Sequence, residues 1–497
     1  MIRAWIEQAA ARHGDDVYLA DARGPATLTY ARLLEVVRET ERRLDDAGLP
    51  PGARVNVRLP DPVDYATALV ALIAAGRVAV PLDPGAPDTD VARVLGVARP
   101  SGMVTSLPGT AGADGPAGAM AAADGEATLP FGVTAFDLSP LPADNPGGGI
   151  FLCTSGTTGT PKGILLREPQ LAHVAASVAD WHRLDRADRG YCSLPLFHVN
   201  AEVVGLLATL RAGAYLALDR KFSRRGFWDL IAADRITWIN AVPAIISILS
   251  MDPPADPPRE LRFVRSASAP LPLASLERFE KALGVPVVET YGMTEAASMI
   301  TANPLDGPRK PGSAGRPAGS EVRVEPAGSG LAGGGPARPG DIGRVLIRGG
   351  GVITGYASGG RPGAIDPDGW LDTGDLGYLD ADGYQFLVGR SDDVINRGGE
   401  KIYPREIEEI LLAQPGVRSA AVIGADDEVL GERPVAYVVP DAAAVADEVE
   451  ALLRAVCAER LPRHKQPSAF WLVDAMPLGP TGKISRRLLK EAVAAQQ

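Results

Sequence analysis

A segment that could bind phosphate follows the short apolar run at 150–152. From 154 to 163 it reads Thr-Ser-Gly-Thr-Thr-Gly-Thr-Pro-Lys-Gly. Glycines let the backbone turn tightly and bring N–H groups close to a phosphate, the hydroxyls add donors, and Lys162 adds positive charge. The spacing is not that of a Walker A loop. The segment predicts a phosphate-binding loop, although a flexible surface turn would have the same composition.

Five further motifs follow this loop in chain order. They are Tyr-Gly-Met-Thr-Glu at 291–295, Asp-Thr-Gly-Asp at 372–375, Gly-Arg-Ser-Asp-Asp at 389–393, Gly-Gly-Glu-Lys at 398–401 with Glu-Ile-Glu at 406–408, and Pro-Thr-Gly-Lys at 480–483. One motif of this length is weak evidence, because most such matches arise by chance. Five motifs in order are very unlikely to do so, and together they cover essentially the whole chain. The set resembles the adenylate-forming superfamily, which comprises acyl-CoA synthetases, adenylation domains of peptide synthetases and luciferases. Segments 265–271, 303–305 and 310–313 look most like stand-alone acyl-CoA synthetases of the fatty-acyl and oxalyl type.

The resemblance implies a reaction in two steps. ATP and a carboxylic acid would give an acyl-adenylate and pyrophosphate, and CoA would then displace AMP. The implied cofactors and partners are ATP, Mg²⁺, CoA and a small carboxylic acid, with no nucleic acid. Alternatives are an enzyme specialised for one half-reaction, one that loads a carrier-protein thiol, and a non-catalytic sensor of acyl groups or nucleotides. The joint presence of Lys483, Glu295 and Asp375 argues against the sensor.

The resemblance assigns a large group of motif residues to the nucleotide. Those in the loop and the next motif are Thr154, Ser155, Gly156, Thr157, Thr158, Gly159, Lys162, Tyr291 and Gly292. Ser268, Ala269 and Pro270 match the stretch that packs on adenine, although a core strand end has a similar composition. Asp375 matches the aspartate that accepts hydrogen bonds from both ribose hydroxyls, and Arg390 would lie near the same ribose. A turn aspartate is the alternative interpretation of Asp375.

The implied catalytic residues are Lys483, Thr294, Glu295 and His198. Thr294 would hydrogen-bond the α-phosphate, and Glu295 would help hold Mg²⁺, a hard cation that prefers oxygen ligands. Glu295 is alternatively a solvated carboxylate at a helix start. Lys483 would stabilise the negative charge that develops where the acid meets the α-phosphate. The alternative interpretation of Lys483 is a solvated loop lysine. His198 would gate the acyl and pantetheine channels, although a lone histidine beside apolar residues is more often a packed or capping residue.

The resemblance also implies that a small C-terminal domain rotates. Asp392 matches the hinge, so that one orientation brings Lys483 to the acid and the other presents Gly398, Gly399 and Lys401 to the pantetheine arm of CoA. Glycines would allow the narrow arm to approach the backbone closely. A hairpin turn is an equally good explanation of the glycine pair.

The acid is the partner that the sequence constrains least. Side chains that would line an acyl pocket are Phe197, Trp238, Asn240, Val242, Pro243 and Met299. This set favours an apolar or bulky acid, because a small diacid would require a cationic pocket residue and the sequence does not identify one.

Helical and strand patterns alternate before the first motif. Residues 2–12 and 30–49 have the periodicity of amphipathic helices, and 54–59 and 78–82 have that of strands. Asp61 followed by proline is typical of a helix N-cap, and this helix should run to residue 75. Strands separated by helices predict βαβ units with a largely parallel sheet.

Later segments complete the predicted architecture. Short strands are expected at 131–136 and 285–289, and a β-rich region at 343–388. We predict an α/β fold with a large N-terminal domain at 1–390, made of α/β subdomains and a β-rich subdomain. A small, mobile α+β domain should occupy 391–497.

Composition narrows the class of protein. The 497 residues allow two to four domains, and the net charge of −11 counts against nonspecific nucleic-acid binding or a polybasic membrane surface. Three scattered cysteines do not make a disulfide framework or a cysteine zinc site. The chain start lacks a signal-peptide pattern, and the longest apolar run, 66–82, is interrupted by Arg77. We therefore expect a cytoplasmic protein with no membrane span.

Overall fold

A computed structural model of the chain describes residues 1–106, 129–136, 147–154, 162–326, 336–441, 445–478 and 484–494. The α-helices in these ranges are α1 (Ile2–His13), α2 (Tyr30–Asp46), α3 (Pro62–Ala74), α4 (Asp88–Ala98), α5 (Glu168–Trp181), α6 (Ala208–Ala212), α7 (Phe227–Ala233), α8 (Pro243–Met251), α9 (Leu273–Leu283), α10 (Pro404–Leu412), α11 (Ala446–Arg460) and α12 (Arg486–Ala494). A π-helix, Asn200–Leu207, runs directly into α6.

The strands in the same ranges are β1 (Val17–Asp21), β2 (Thr27–Thr29), β3 (Arg54–Val57), β4 (Val78–Pro81), β5 (Gly102–Ser106), β6 (Phe131–Ala135), β7 (Gly149–Thr154), β8 (Lys162–Arg167), β9 (Arg189–Cys192), β10 (Tyr215–Leu218), β11 (Trp238–Ala241), β12 (Phe263–Ser266), β13 (Val287–Met293), β14 (Ser298–Ala302), β15 (Arg316–Pro317), β16 (Glu321–Pro326), β17 (Gly343–Arg348), β18 (Leu371–Leu379), β19 (Gln385–Arg390), β20 (Ile395–Arg397), β21 (Glu400–Ile402), β22 (Val417–Asp427), β23 (Gly431–Pro440) and β24 (Ala469–Leu472).

Two sheets with parallel centres form the first part of the fold. One has the strand order β15-β14-β13-β12-β11-β9-β10-β1-β2, and the other has the order β6-β5-β3-β4-β7-β8. Strands β10, β9, β11, β12 and β13 pair in parallel with their neighbours. This arrangement confirms the α/β class that the alternation of helices and strands predicts.

Helix α3 packs against both sheets. Asp61 caps it as predicted, since its Oδ1 accepts hydrogen bonds from the backbone N–H groups of Val63 (2.9 Å) and Asp64 (3.1 Å). Every residue of α3 except Asp64 is buried, because the helix is apolar on nearly all sides. It contacts β1 of the nine-stranded sheet and β3 and β4 of the six-stranded sheet.

Three elements differ in extent from the sequence prediction by two residues or more. The strand expected at 54–59 forms as β3 and ends at Val57. Helix α2 ends at Asp46 rather than at 49, where Gly48 adopts a left-handed conformation with φ of 71° and stops the helix. The strand expected at 285–289 forms as β13 and continues to Met293. It is longer because the Tyr291 motif pairs antiparallel with β14, a partner that the local sequence does not reveal.

The last two sheets belong to the second half of the chain. Strands β17, β18 and β19 form the β-rich region expected at 343–388, and β16, which lies before that region in the chain, completes their antiparallel sheet around Val345 and Ile347. The final sheet has the order β21-β20-β23-β22 with β24 parallel to β23, and its core includes Ile407 and Leu453 of α10 and α11. No helix within the described ranges is both long and apolar enough to cross a lipid bilayer.

Candidate active site

The parallel strands of the nine-stranded sheet bring distant parts of the chain to one edge. In open α/β sheets, ligands bind at the carboxyl ends of the strands. At this edge β11 ends before Val242 and Pro243, and β12 ends just before the exposed residues Ser268, Ala269 and Pro270. Two segments that the sequence assigns to the acid and to adenine thus follow adjacent strands.

Asp375 on β18 accepts two hydrogen bonds from residues that the sequence also assigns to the nucleotide. Tyr291 donates from its hydroxyl to Oδ2 at 2.5 Å, and Arg390 donates from Nη1 to Oδ1 at 3.2 Å. Burial and the adjacent carboxylate raise the pKa of Tyr291, so the phenol keeps its proton and remains a donor. Arg390 stands opposite Asp375 in the register of β18 and β19. The structure therefore brings these three predicted residues into direct contact.

Glu295 lies in the 3₁₀ turn Thr294–Ala296 that follows β13. Its side chain is largely buried, with 8% exposed, and Tyr356 donates a hydrogen bond to Oε1 at 3.1 Å. The Nζ of Lys162 lies 5.5 Å from the centre of the Tyr356 ring. Tyr356 thus connects the lysine of the predicted phosphate loop to Glu295. Tyr356 belongs to no motif and lies 61 positions from Glu295, so no local pattern in the sequence reveals this contact.

Glu295 fits the role of a magnesium ligand at a nucleotide. In nucleotide sites Mg²⁺ is bound by one or two carboxylates together with substrate phosphates, so a complete protein cage is not required. Within the described residues no three His, Cys, Asp or Glu side chains form such a cage. The second oxygen of Glu295, Oε2, accepts no hydrogen bond from the described residues and is available to a cation.

Gly292 is required by the pairing of β13 with β14. A Cβ at this position would lie 1.7 Å from the carbonyl oxygen of Ser298, so no other residue fits. Ala297 and Ser298 then adopt positive φ values of 50° and 100°. Such backbone strain costs about 1–3 kcal/mol per residue and is concentrated at functional sites. Here the two residues lie two and three positions after Glu295 in the chain.

Several predicted residues lie outside the described ranges: Ser155, Gly156, Thr157, Thr158, Gly159 and Lys483. Thr154 ends β7 and Lys162 begins β8, and these two residues are opposite each other in an antiparallel pair. The two ends of the predicted phosphate loop are therefore adjacent. The roles of the residues between them, and that of Lys483, stay predictions.

The side chains predicted to line the acyl pocket differ in accessibility. Phe197 and His198 are partly exposed in the loop after β9, with ring centroids 4.6 Å apart. Trp238 is fully buried and stacks on Phe263, and Met299 is fully buried in β14. The loop residues are therefore more accessible to an acid than the two core residues.

A buried polar cluster next to this loop was not predicted. Arg265 on β12 is 1% exposed and donates from Nη1 to Oδ1 of Asn200 at 2.8 Å and to Oδ1 of Asn240 at 3.2 Å. Burial lowers the pKa of Arg265 to about 9. The sequence assigns Asn240 to the pocket. Arg265 begins the segment 265–271 that resembles acyl-CoA synthetases, but the sequence gives its side chain no role, and Asn200 is 65 positions away.

The predicted hinge and the glycine pair lie at the start of the last domain. Exposed Asp392 is in the 3₁₀ turn Ser391–Asp393, between β19 and β20. Gly398 and Gly399, with φ of 60° and 93°, form a two-residue turn between β20 and β21. The interpretation of these glycines as a hairpin turn is confirmed. Lys401 is exposed on β21, and contact of this hairpin with CoA stays a prediction.

Comparison with known proteins agrees with these observations. Residues 6–357 match the family model described as AMP-binding enzyme, and residues 406–483 match that of the AMP-binding enzyme C-terminal domain. A sulfoacetate–CoA ligase of Cupriavidus necator is 38% identical over 99% of this chain and 98% of its own length. An oxalate–CoA ligase of Arabidopsis thaliana is 35% identical over 94% of each chain. The structure of o-succinylbenzoate CoA synthetase from Bacillus subtilis, in complex with an acyl-adenylate intermediate, is 28% identical with a TM-score of 0.80 over 98% of this chain and 97% of that one.

Proposed function

The chain belongs to the AMP-binding enzyme family, and we propose that the residues around Asp375 and Glu295 bind the ribose and the phosphates of ATP. It is an ATP-dependent, AMP-forming ligase that activates a carboxylic acid and transfers the acyl group to CoA. The roles of the individual residues are the proposal, and each is supported by contacts within the site.

In the first step a carboxylate oxygen of the acid attacks the α-phosphorus of ATP. A new P–O bond forms, the bond from the α-phosphorus to the bridging oxygen breaks, and pyrophosphate leaves. The product is a mixed anhydride whose leaving group is AMP. In the second step the sulfur of CoA attacks the carbonyl carbon, the thiol proton is lost to solvent or base, and AMP leaves.

Asp375 is suited to bind the ribose because its position is fixed before the nucleotide arrives. Tyr291 and Arg390 each occupy one lone pair on a different carboxylate oxygen. These two hydrogen bonds orient the carboxylate, and a carboxylate is an acceptor-only group that suits the 2′- and 3′-hydroxyl donors of ribose. The contacts of Asp375 with Tyr291 and Arg390 are the main evidence for this proposal.

We propose that Thr294 and Glu295 act on the phosphates. Tyr356 donates a hydrogen bond to Glu295, and the Nζ of Lys162 lies 5.5 Å from the centre of the Tyr356 ring, so both charged groups interact with the same tyrosine. Mg²⁺ bound by Glu295 would neutralise charge on the phosphates. Thr294 would donate its hydroxyl proton to the α-phosphate, and Lys483 would supply a positive charge to the developing transition state.

The division at 390/391, with Asp392 as hinge, allows one pocket to serve both steps. Adenylation would use Lys483, and thioester formation would use the hairpin at Gly398 and Gly399 together with Lys401. His198 would gate the passage between the acyl pocket and the pantetheine arm. We place the enzyme in the cytoplasm, where its cosubstrates are found.

Two separate assays on the purified protein test this function. Pyrophosphate release would be measured with ATP, Mg²⁺ and a panel of carboxylic acids, and thioester formation would be measured after CoA is added. We expect release of pyrophosphate only when a suitable acid is present, followed by acyl-CoA and AMP. Release of ADP and inorganic phosphate would refute the adenylation mechanism. Adenylate formation that never yields a thioester with CoA would indicate a carrier-protein acceptor or a single half-reaction.

A further inference from the structure

Arg265 is a fully buried cation without an anionic partner in the described structure. Its guanidinium is 1% exposed, and its hydrogen bonds all leave from Nη1 to the neutral amides of Asn200 and Asn240. Buried arginines are almost always paired with a carboxylate or a phosphate. An unpaired one is costly to retain unless a ligand supplies the negative charge.

The carboxyl group closest in sequence to this cluster does not supply that charge. Glu202 is fully buried on the same π-helix as Asn200, and neither of its oxygens has a hydrogen-bond partner in the described structure. Burial raises the pKa of Glu202, which favours its neutral form.

Two hydrogen-bond donors of the cluster have no acceptor among the residues that the structure describes. The Nε of Arg265 and the Nδ2 of Asn200 are both buried and unpartnered. They belong to side chains that are joined by the 2.8 Å bond from Nη1 to Oδ1. Leaving a buried donor unsatisfied costs about 1–3 kcal/mol, and more for a charged group. An anionic oxygen bound here would satisfy a guanidinium N–H and an amide N–H together.

The cluster also lies where the acid is expected. Asn200 follows the His198 loop by two positions, and Asn240 precedes Val242 by two. Arg265 is the residue before the last one of β12, whose end leads into the Ser268 segment. The guanidinium is therefore at the carboxyl end of the sheet, directly next to the segments assigned to the acyl pocket and the nucleotide.

We propose that Arg265, assisted by Asn200 and Asn240, binds a second anionic group on the acid, so that the substrates are short carboxylic acids with a distal carboxylate or sulfonate. This inference rests on the proposed function, and it replaces the expectation of an apolar or bulky acid. The relatives named for sulfoacetate and for oxalate act on acids of this kind.

Matched pairs of acids test the proposal on the purified enzyme. Malonate is compared with acetoacetate, succinate with levulinate, and sulfoacetate with methylsulfonylacetate, because each pair exchanges one anionic oxygen for a methyl group. The value of kcat/KM is measured for pyrophosphate release and for CoA thioester formation. We expect the wild-type enzyme to prefer the dianionic member of at least one pair by about 100-fold, the usual scale for buried charged contacts.

Substitutions then show whether Arg265 causes this preference. Arg265→Met should reduce the ratio of the two kcat/KM values to near one, mainly through KM for the acid, and Arg265→Lys should retain an intermediate ratio. Arg278→Met, at an exposed position on α9, is the matched control and should keep the wild-type ratio. A thermal unfolding curve and AMP affinity establish that each variant is folded.

The possible negative results distinguish failure of this inference from failure of the proposed function. Thioester formation from the monoanionic and dianionic members of each pair at equal efficiency by the wild-type enzyme would overturn this inference and leave the proposed function intact. An unchanged preference in Arg265→Met or Arg265→Lys would also overturn it. A protein that releases no pyrophosphate with any acid would refute both proposals. If Arg265→Met does not fold, the ratio of the two kcat/KM values in the wild-type enzyme and in Arg265→Lys still tests the proposal.

Discussion

At the scale of single residues, the site is held together by contacts among the residues that would bind ATP. Tyr291, Arg390 and Asp375 come from three different strands, β13, β19 and β18, and meet at one carboxylate. A carboxylate that is already oriented loses little conformational freedom when the ribose binds. The affinity for nucleotide should therefore depend strongly on this one side chain.

Asp375→Ala should weaken the binding of both ATP and AMP by about 2 kcal/mol or more, because two ribose hydroxyls lose a charged acceptor. Isothermal titration calorimetry with each nucleotide measures the change. Asp382→Ala removes an exposed carboxylate that pairs with Lys310 and is the control, with affinities expected to equal those of the wild type. Unchanged affinities in Asp375→Ala would show that the ribose binds elsewhere.

Tyr356→Phe tests the residue that holds Glu295. Loss of the 3.1 Å hydrogen bond leaves the carboxylate less well oriented, and one such bond is worth about 1 kcal/mol. We expect the midpoint of a Mg²⁺ titration of pyrophosphate release to rise about fivefold. Tyr378→Phe, on the stacked pair with Phe386, is the matched control. An identical midpoint in both variants would remove Tyr356 from the magnesium site.

The sequence predicts those site residues that lie within motifs. The Asp375 cluster was assigned to the nucleotide from sequence, and the structure brings its members together. Tyr356 and Arg265 were missed for a physical reason. Each acts through a contact with a residue 61 or 65 positions away, and no local pattern reveals a pairing that only the tertiary fold creates.

At the scale of elements, the geometry of the site depends on how closely β13 and β14 approach each other. The strand was predicted to end at 289 but continues to Met293, because β14 supplies hydrogen-bond partners for the motif. Gly292 permits this close approach. Ala297 and Ser298, which have positive φ values, lie where the chain turns from β13 to β14.

Gly292→Ala should therefore destabilise the protein and distort the site. The added Cβ would lie 1.7 Å from a backbone oxygen, so the two strands must separate, at a cost of about 1–3 kcal/mol or more. We expect a lower midpoint of thermal unfolding and a lower rate of pyrophosphate release. Gly96→Ala, in α4 with no atom within 4 Å of its Cβ, should not lower the midpoint. Equal midpoints for the two variants would contradict the packing argument.

At the scale of the whole molecule, the last domain has its own hydrophobic cores and few described polar links to the rest. Arg405 donates to the carbonyl oxygen of Leu387 at 2.7 Å, and Ser391 donates to that of Gly374 at 3.1 Å. Domains joined by small polar interfaces are expected to move relative to each other. This organisation supports the proposal that the domain rotates about Asp392 between the two half-reactions.

Asp392→Pro should trap one orientation of the small domain. Proline fixes φ near about −65° and restricts the residue before it, so the hinge loses the freedom that two orientations require. One half-reaction should fail while the other survives, when adenylation is measured with acid plus ATP and thioester formation with synthetic acyl-adenylate plus CoA. Asp392→Ala keeps a flexible backbone and should support both steps. Equal retention of both steps in Asp392→Pro would place the hinge elsewhere.

Lys483→Ala separates the two half-reactions without changing the hinge. Lys483 would contribute its charge only in the orientation that forms the adenylate, so its loss should slow that step by roughly 10²–10³-fold, the usual effect of removing one transition-state contact. Thioester formation from supplied acyl-adenylate and CoA should be largely intact, because that step uses the other orientation. Lys490→Ala, an exposed lysine on α12, is the control and should behave as wild type in both assays. Equal loss of both steps in a folded Lys483→Ala protein would refute this division of labour, since one lysine would then serve both orientations of the domain.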